Sequence, residues 1–229
     1  MSGEPLLKTC GLGRRKAGAE EWLLRGICLE LRPGDQLSVV GPTGSGKTLL
    51  LRALALLDPL DEGTVVWRGR AVRGEAVPRY RQNVVYLHQR PALFEGSVEE
   101  NLRLPLSLAI HRGASFDRGR VFMRLEALGL GETFLEKSAR DLSGGEGQIV
   151  SLLRAIQLGP SILLLDEPTA SLDAGSVAAV ETLVACWQAE APGERATIWV
   201  SHDAEQARRV GQRQLRMDAG QLQTGGRDG

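Results

Sequence analysis

An excess of charge of either sign is missing from this chain. Its 229 residues carry 28 lysines and arginines against 28 aspartates and glutamates, so the formal net charge is zero at pH 7. A dedicated nucleic-acid binder shows a basic surplus, so that class is set aside and no nucleic-acid partner is expected. Cysteine is scarce too. Cys10, Cys28 and Cys186 are odd in number and far from any CxxC spacing, so neither a disulfide framework nor a thiolate zinc site is written in them. They read as buried thiols in a reducing compartment. Long apolar runs are also absent. Crossing a bilayer takes roughly 20 apolar residues, and the best stretch, TLLLRALALL at 48–57, is short and interrupted by Arg52. The opening MSGEPLLKTC lacks the apolar core of a secretory signal. Together these absences lead to the expectation of a soluble chain whose membrane part, if any, is another polypeptide.

What the chain does have is an alternation of strand and helix patterns. Residues 5–40 alternate apolar and polar in short runs, with RPGD at 32–35 as a turn between two strand candidates. QLSVV (36–40) has a buried-strand pattern, enters GPTGSGKT (41–48), and is followed by the helical LLLRALALL. TVVWRG (64–69), NVVYL (83–87), SILLLDEP (161–168) and ATIWVSHD (196–203) predict further strands, and RQLRMDAGQL (213–222) predicts a hairpin turning at DAG. Between them, residues 91–159 shift to mostly helical periodicity with breaks at HRGAS and LGLGE. Strands alternating with helices imply an α/β core around a parallel sheet. The helical block then reads as an insertion, leaving residues 1–90 and 160–229 as the core. The glycine-rich end, 225–229, is expected to fray.

GPTGSGKT matches GxxxxGK[ST] and sits where that motif must sit, between a strand and a helix. Its glycines allow successive backbone N–H groups to turn around phosphate oxygens, and the helix start adds a positive dipole. The candidate phosphate-binding residues are Gly41, Pro42, Thr43, Gly44, Ser45, Gly46, Lys47 and Thr48. Lys47 reaches the β- and γ-phosphates, and Thr48 offers a hydroxyl to Mg²⁺. Asp166 and Glu167 end an apolar strand, where a sheet delivers side chains to a phosphate crevice. Asp166 is the candidate Mg²⁺ holder, and Glu167 the candidate base for an attacking water. A GTPase would want an NKxD-like guanine reader, and none occurs. ATP hydrolysis driving a change of shape is the strongest class, with ATP and Mg²⁺ as cofactors.

LSGG at 142–145 follows the helical block and precedes the acid strand by about twenty residues. With GPTGSGKT, the glutamine in VVYLHQRPALFEGSVEENL, ILLLDEPTASLD and WVSHD in order, the chain resembles ABC-type ATPases over nearly its whole length. The resemblance implies a P-loop NTPase core with an N-terminal antiparallel β part and an inserted α-helical subdomain. It makes Gln89 a ligand of Mg²⁺ and of the attacking water, and His202 a switch contacting the γ-phosphate. Ser143, Gly144, Gly145, Glu146 and Gln148 become the signature that touches a nucleotide held by a second subunit. A serine hydroxyl and exposed amides at a helix start suit that task without any cation. Asp173 falls in the loop at the dimer interface. A head-to-tail homodimer around two ATP molecules follows.

Some positions depart from the pattern. Ile149 stands where many members have arginine, Glu146 replaces the commonest glutamine, and Trp22 is the one aromatic near WLLRGICLEL available to stack on a base. Among ABC proteins, the single cassette without a long coiled-coil insertion favours the ATP-binding subunit of a transporter. Such a subunit works with a separate polytopic membrane subunit at the inner face of the membrane. The alternative is a soluble ABC ATPase acting in cluster assembly or on another macromolecular machine. Only 27 residues follow His202, which leaves no room for the regulatory domain of sugar importers. The stretches around Gln89 and Asp166 look most like short ATP-binding subunits of bacterial iron exporters.

Overall fold

The structure is a computed structural model that describes residues 4–170 and 172–223; the glycine-rich end expected to fray lies outside the described residues. The chain divides into two compact units. The first runs up to Tyr86 and adds Ser161–Glu167 and the chain from Ala191 onward; the second comprises Leu87–Pro160 and Pro168–Glu190.

In chain order the elements are β1 (Leu7–Arg15), β2 (Trp22–Leu31), β3 (Gln36–Val40), α1 (Lys47–Leu54), β4 (Glu62–Trp67), β5 (Arg70–Ala71), α2 (Ala76–Asn83) and β6 (Val84–Leu87). There follow α3 (Val98–Arg103), α4 (Arg118–Glu126), α5 (Gly144–Ile156), β7 (Ile162–Asp166), α6 (Ala174–Ala189), β8 (Ala196–Val200), α7 (Ala204–Val210), β9 (Arg213–Asp218) and β10 (Gln221–Gln223).

The first unit holds two sheets. One has four strands in the order β2-β1-β4-β5, with antiparallel pairing throughout. The other has six in the order β10-β9-β3-β8-β7-β6, with β3, β7, β8 and β9 joined in parallel. This is the mixed α/β architecture that the sequence implies, including its antiparallel N-terminal part. Every residue of β7 and β8 is buried, which is why ILLLD and ATIWV read as unbroken apolar strands instead of alternating ones. The turn at RPGD forms as expected: the Asp35 N–H donates to the Arg32 carbonyl at 3.1 Å, and Gly34 takes a φ of 88°. On α1, Leu50, Leu51 and Leu54 are fully buried, and they join Leu37, Val39, Ile162, Leu164 and Ile198 in one core.

In the second unit, helices are short and joined by irregular and 3₁₀ segments, with breaks at HRGAS and LGLGE. Arg124 donates to Glu190 from Nε and from one terminal guanidinium nitrogen at 2.7–3.1 Å. Trp187 of α6 is fully buried. Among the described residues no helix is long and apolar enough to cross a membrane.

The cysteines depart from expectation. Cys10, Cys28 and Cys186 are all exposed. Cys10 and Cys28 fall at the outward positions of β1 and β2, one residue away from the buried Thr9 and Leu29, so strand alternation turns them toward solvent.

Gly63 illustrates how tightly the antiparallel sheet is closed. Its φ is +74°, and a Cβ there would sit 2.6 Å from the Gly11 backbone and from the Leu12 Cα. Gly63→Ala is expected to lower unfolding stability by about 1–3 kcal/mol through strain and backbone clash. Gly11→Ala, at φ +61° but with nothing within 4 Å of its added Cβ, should cost clearly less. Urea unfolding of both variants checks this, and equal losses would show that the close approach at Gly63 is not what matters.

Candidate nucleotide site

Parallel register brings three chain segments to one edge of the large sheet. Val39 of β3 and Asp166 of β7 both pair with Val200 of β8. The loop after β3, the pair Asp166–Glu167 and the turn containing His202 therefore emerge side by side at the carboxyl ends of the strands, where open α/β sheets bind ligands.

The loop from Gly41 to Thr48 is built from backbone that other residues resist. Gly44 and Gly46 take φ values of 79° and 103°, and a Cβ on Gly41 would lie 2.1 Å from the Met217 carbonyl oxygen. Helix α1 then starts without a side-chain cap and without an acid in its first turn, so its first amides and dipole face outward toward an anion. The Lys47 ammonium, buried, donates to the carbonyls of Gly41 and Pro42 at 2.9 and 3.0 Å. Ser45 Oγ is buried with no hydrogen-bond partner. A ring of inward amides with a lysine and a spare hydroxyl fits a polyphosphate.

Asp166 closes the other side and is only 3% exposed. Thr48 Oγ1 donates to its Oδ1 at 3.1 Å, and the Tyr86 hydroxyl donates to its Oδ2 at 2.8 Å. A hydroxyl beside a carboxylate is the donor set of a hard divalent cation such as Mg²⁺. Burial, and then the bond to Asp166, push the Tyr86 phenol well above the usual range, so it stays a donor at any ordinary pH. Tyr86 was invisible to sequence reasoning. Its signal is the adjacency of β6 to β7, which no pattern within NVVYL reveals.

Glu167 sits in the left-handed region, with φ 48°, a conformation that non-glycine residues adopt rarely and that marks functional positions. Its N–H is tied to the Val200 carbonyl at 3.1 Å. Glu167 Oε1 lies 2.5 Å from His202 Nε2, the carboxylate 15% and the imidazole 48% exposed. Both groups line a cavity of about 220 Å³ with Thr43, Gly44 and the run from Gly46 to Leu49. Seven of the sequence candidates, Thr43, Gly44, Gly46, Lys47, Thr48, Glu167 and His202, thus line one cavity. Around Trp22, the Arg15 guanidinium lies over the ring at 4.4 Å, and Gly13 packs so closely that a Cβ there would be 2.9 Å from it.

The remaining candidates lie in the second unit. Gln89 is exposed just beyond β6. Ser143 caps α5: its Oγ accepts from the Glu146 N–H at 3.2 Å, while the Glu146 carboxylate accepts from the Ser143 N–H at 2.8 Å. This reciprocal box fixes the turn and leaves Ser143 and Gly144 exposed. Lys137 grips both Glu146 oxygens at 2.8–2.9 Å. Burial raises the Glu146 carboxyl, but Lys137 and Ser143 together bring it below its ordinary value of 4.5. Asp173 caps α6, accepting from the Ser176 N–H at 3.0 Å and its hydroxyl at 2.7 Å. Gln148 is 2% exposed, and neither amide atom has a hydrogen-bond partner.

A glycine loop between strand and helix, carrying a lysine and facing a buried aspartate across a threonine hydroxyl, defines a P-loop nucleotide-binding protein. More narrowly, the chain belongs to the ABC transporter family, whose description matches residues 24–170. It is 36% identical over 218 residues to the Fe(3+) ions import ATP-binding protein FbpC 2 of Rhodococcus jostii (strain RHA1), covering 94% of this chain and 60% of that one. It is 34% identical over 206 residues to the "Probable iron export ATP-binding protein FetA" of Escherichia coli (strain K12), covering 90% and 88%. The chain thus spans about three fifths of the Rhodococcus relative. Among solved structures, the dimeric post-hydrolysis state of the ATP-binding cassette MJ0796 bound to ADP and Pi superposes with TM-score 0.81 and 26% identity, covering 95% of this chain and 96% of that one.

The depressed Glu146 carboxyl makes the signature turn acid-sensitive. A carboxyl whose folded value is lowered contributes stability above its unfolded value and loses it as pH falls through the folded one. Glu146→Gln should therefore cost stability at pH 7, and the deficit should shrink toward nothing as pH drops below about 4.5. Urea midpoints of both proteins along a pH series measure it. A deficit that stays constant into acid would mean that the Lys137–Glu146 charge pair contributes nothing.

Proposed function

We propose that this chain is the ATP-binding and ATP-hydrolysing subunit of an ABC membrane transporter. It dimerises head to tail around two ATP molecules and drives a separate polytopic membrane subunit from the cytoplasmic face. The observation that carries this reading is the meeting of Lys47, Thr48, Asp166, Glu167 and His202 at one sheet edge. In this assignment, the amides from Gly41 to Thr48 wrap the phosphates, and Lys47 exchanges the loop carbonyls for phosphate oxygens. Thr48 and Asp166 would hold Mg²⁺, which would neutralise charge on the phosphates, and the family resemblance assigns Gln89 to the same ion. Tyr86 keeps the Asp166 carboxylate oriented. Glu167 takes a proton from the attacking water, and His202 holds that carboxylate in place and meets the γ-phosphate.

The exposed start of α5, Ser143 and Gly144, caps the γ-phosphate of the partner's nucleotide, with Gly145 and Glu146 shaping the turn and Asp173 at the interface. The core is residues 1–90 and 160–229, and residues 91–159 form an inserted helical subdomain within a single ABC domain. That segment carries the surface for the membrane subunit: Phe94 is 58% exposed and Leu108 55%, an apolar display that favours a partner. Export of a metal such as iron is the finer reading and rests on likeness to FetA. An importer's subunit is equally similar, so cargo and direction are set by the membrane chain.

Glu167→Gln is expected to keep ATP binding and nearly abolish turnover, because an amide cannot accept the proton. ATP should then hold a lasting dimer in size-exclusion chromatography. Near-normal hydrolysis in this variant would remove Glu167 from the base role.

Two lesions test the shared site. Lys47→Ala should lower the rate on the order of a hundredfold, and Ser143→Arg should block the signature. Each homodimer then has damage in both sites, whereas a mixed dimer has one site with both lesions and one with neither. With Glu167→Gln added to both chains, mixed dimers should trap about one ATP each under conditions where either homodimer traps essentially none. No gain in trapping, with mixed dimers shown to form, would sink the two-subunit site.

A further inference from the structure

Two of the three exposed thiols face each other across a strand pair. Thr9 pairs with Leu29 and Leu12 with Ile27, and the register shifts between them. One extra residue on β1 makes Cys10 and Gly11 together oppose Cys28, which is the geometry of a β-bulge. Gly11, at φ +61° with nothing within 4 Å of an added Cβ, supplies the left-handed step. The Gly11 N–H donates to Cys28 Sγ at 3.2 Å. From the Gly11 nitrogen the covalent path back to the Cys10 Cα is two bonds, about 1.33 and 1.52 Å. The Cys28 sulfur therefore lies within about 6 Å of the Cys10 Cα, and residues facing each other in an antiparallel pair stand about 4.5–5.5 Å apart at Cα, inside the roughly 4.4–6.8 Å that disulfides span. The flanking residues Thr9, Ile27 and Leu29 are buried, and both cysteines are exposed, so the two thiols share the outer face of the sheet. One step along that face, Lys8 and Glu30 pair at 2.7 Å, which pins the register on that side.

A closed metal site does not fit the donors here: among the described residues no group of three or more histidines, cysteines or acids is placed to hold a metal ion, whereas a structural zinc takes four ligands. Two-thiol chemistry remains. We infer that Cys10 and Cys28 form a dithiol modification site that closes to an intramolecular disulfide by exchange with a small-molecule disulfide such as oxidised glutathione. The Cys10 thiolate attacks one sulfur of the oxidant, forming a mixed disulfide and releasing one thiolate. The Cys28 thiolate then attacks the Cys10 sulfur and expels the second. Two protein thiols are oxidised, the oxidant is reduced to two thiols, and the two protons end on those products. Cys186, on α6, is the sole cysteine of the other unit and is expected to stay a single thiol. This site is independent of the nucleotide-site assignment and stands or falls without it.

The test uses the full chain, equilibrated in mixtures of oxidised and reduced glutathione, acid-quenched, blocked with N-ethylmaleimide and read by intact mass and peptide mapping. The expected species has lost two hydrogens, carries one maleimide on Cys186, and yields a peptide joining Cys10 to Cys28. Cys28→Ser, which removes the resolving sulfur and leaves the fold's buried residues untouched, should stop at glutathione held on Cys10. Three maleimides under all mixtures, separate glutathione adducts on Cys10 and Cys28, or crosslinked dimers would each overturn the site.

Discussion

The hydrogen bond from Thr48 to Asp166 joins residues 118 positions apart, and most of the architecture exists to make it possible. Thr48 is fixed by the entry of α1 from β3, and Asp166 by the end of β7. Only a parallel sheet with β8 between them, in the register that sets Val39 and Asp166 both opposite Val200, brings the two oxygens to 3.1 Å. A slip of one residue in β7 would turn the carboxylate to the other face of the sheet. Full burial of β7 and β8 protects against that slip, because every alternative register costs apolar contacts on both faces.

The phosphate loop depends equally on the end of the chain. Gly41 runs so close to the Met217 carbonyl that any side chain there would collide, and the Gly220 N–H donates to the Ser45 carbonyl at 3.0 Å. The hairpin of β9 and β10 is thus the outer wall of the loop. A strand that reads as a peripheral addition in the sequence holds the shape of a site assembled around residues 41–48.

What the sequence revealed divides along physical lines. Runs with a strong local signal were legible: QLSVV forms β3 over the same residues, ILLLD and ATIWV form β7 and β8, and the hairpin turns at Ala219–Gly220. The glycine-lysine loop and the acid pair were legible because backbone amides and carboxylates advertise their chemistry in residue type. Tyr86 was not, since its importance comes from β6 lying next to β7, a property of sheet order. The outward thiols were misread because cysteine composition favours burial, whereas the decisive fact is strand phase across a bulge. At Trp22 the sequence showed the ring but not the cation laid over it by Arg15, its partner across the strand pair.

Within the second unit, Gly145 of α5 has so little clearance from Ser176 that an added Cβ would be 2.1 Å from its hydroxyl, and that hydroxyl is bound to Asp173. The glycine is there so that two helix starts can touch. Its consequence is mechanical. The head of α5 rests on Ser176 with no room for a side chain, and Ser176 is in turn bound to the carboxylate at the head of α6, so the two helix starts are in direct packing contact. A bulkier residue at position 145 would therefore push the two helix starts apart, so the spacing of Ser143 from Asp173 is set by the absence of one methyl group.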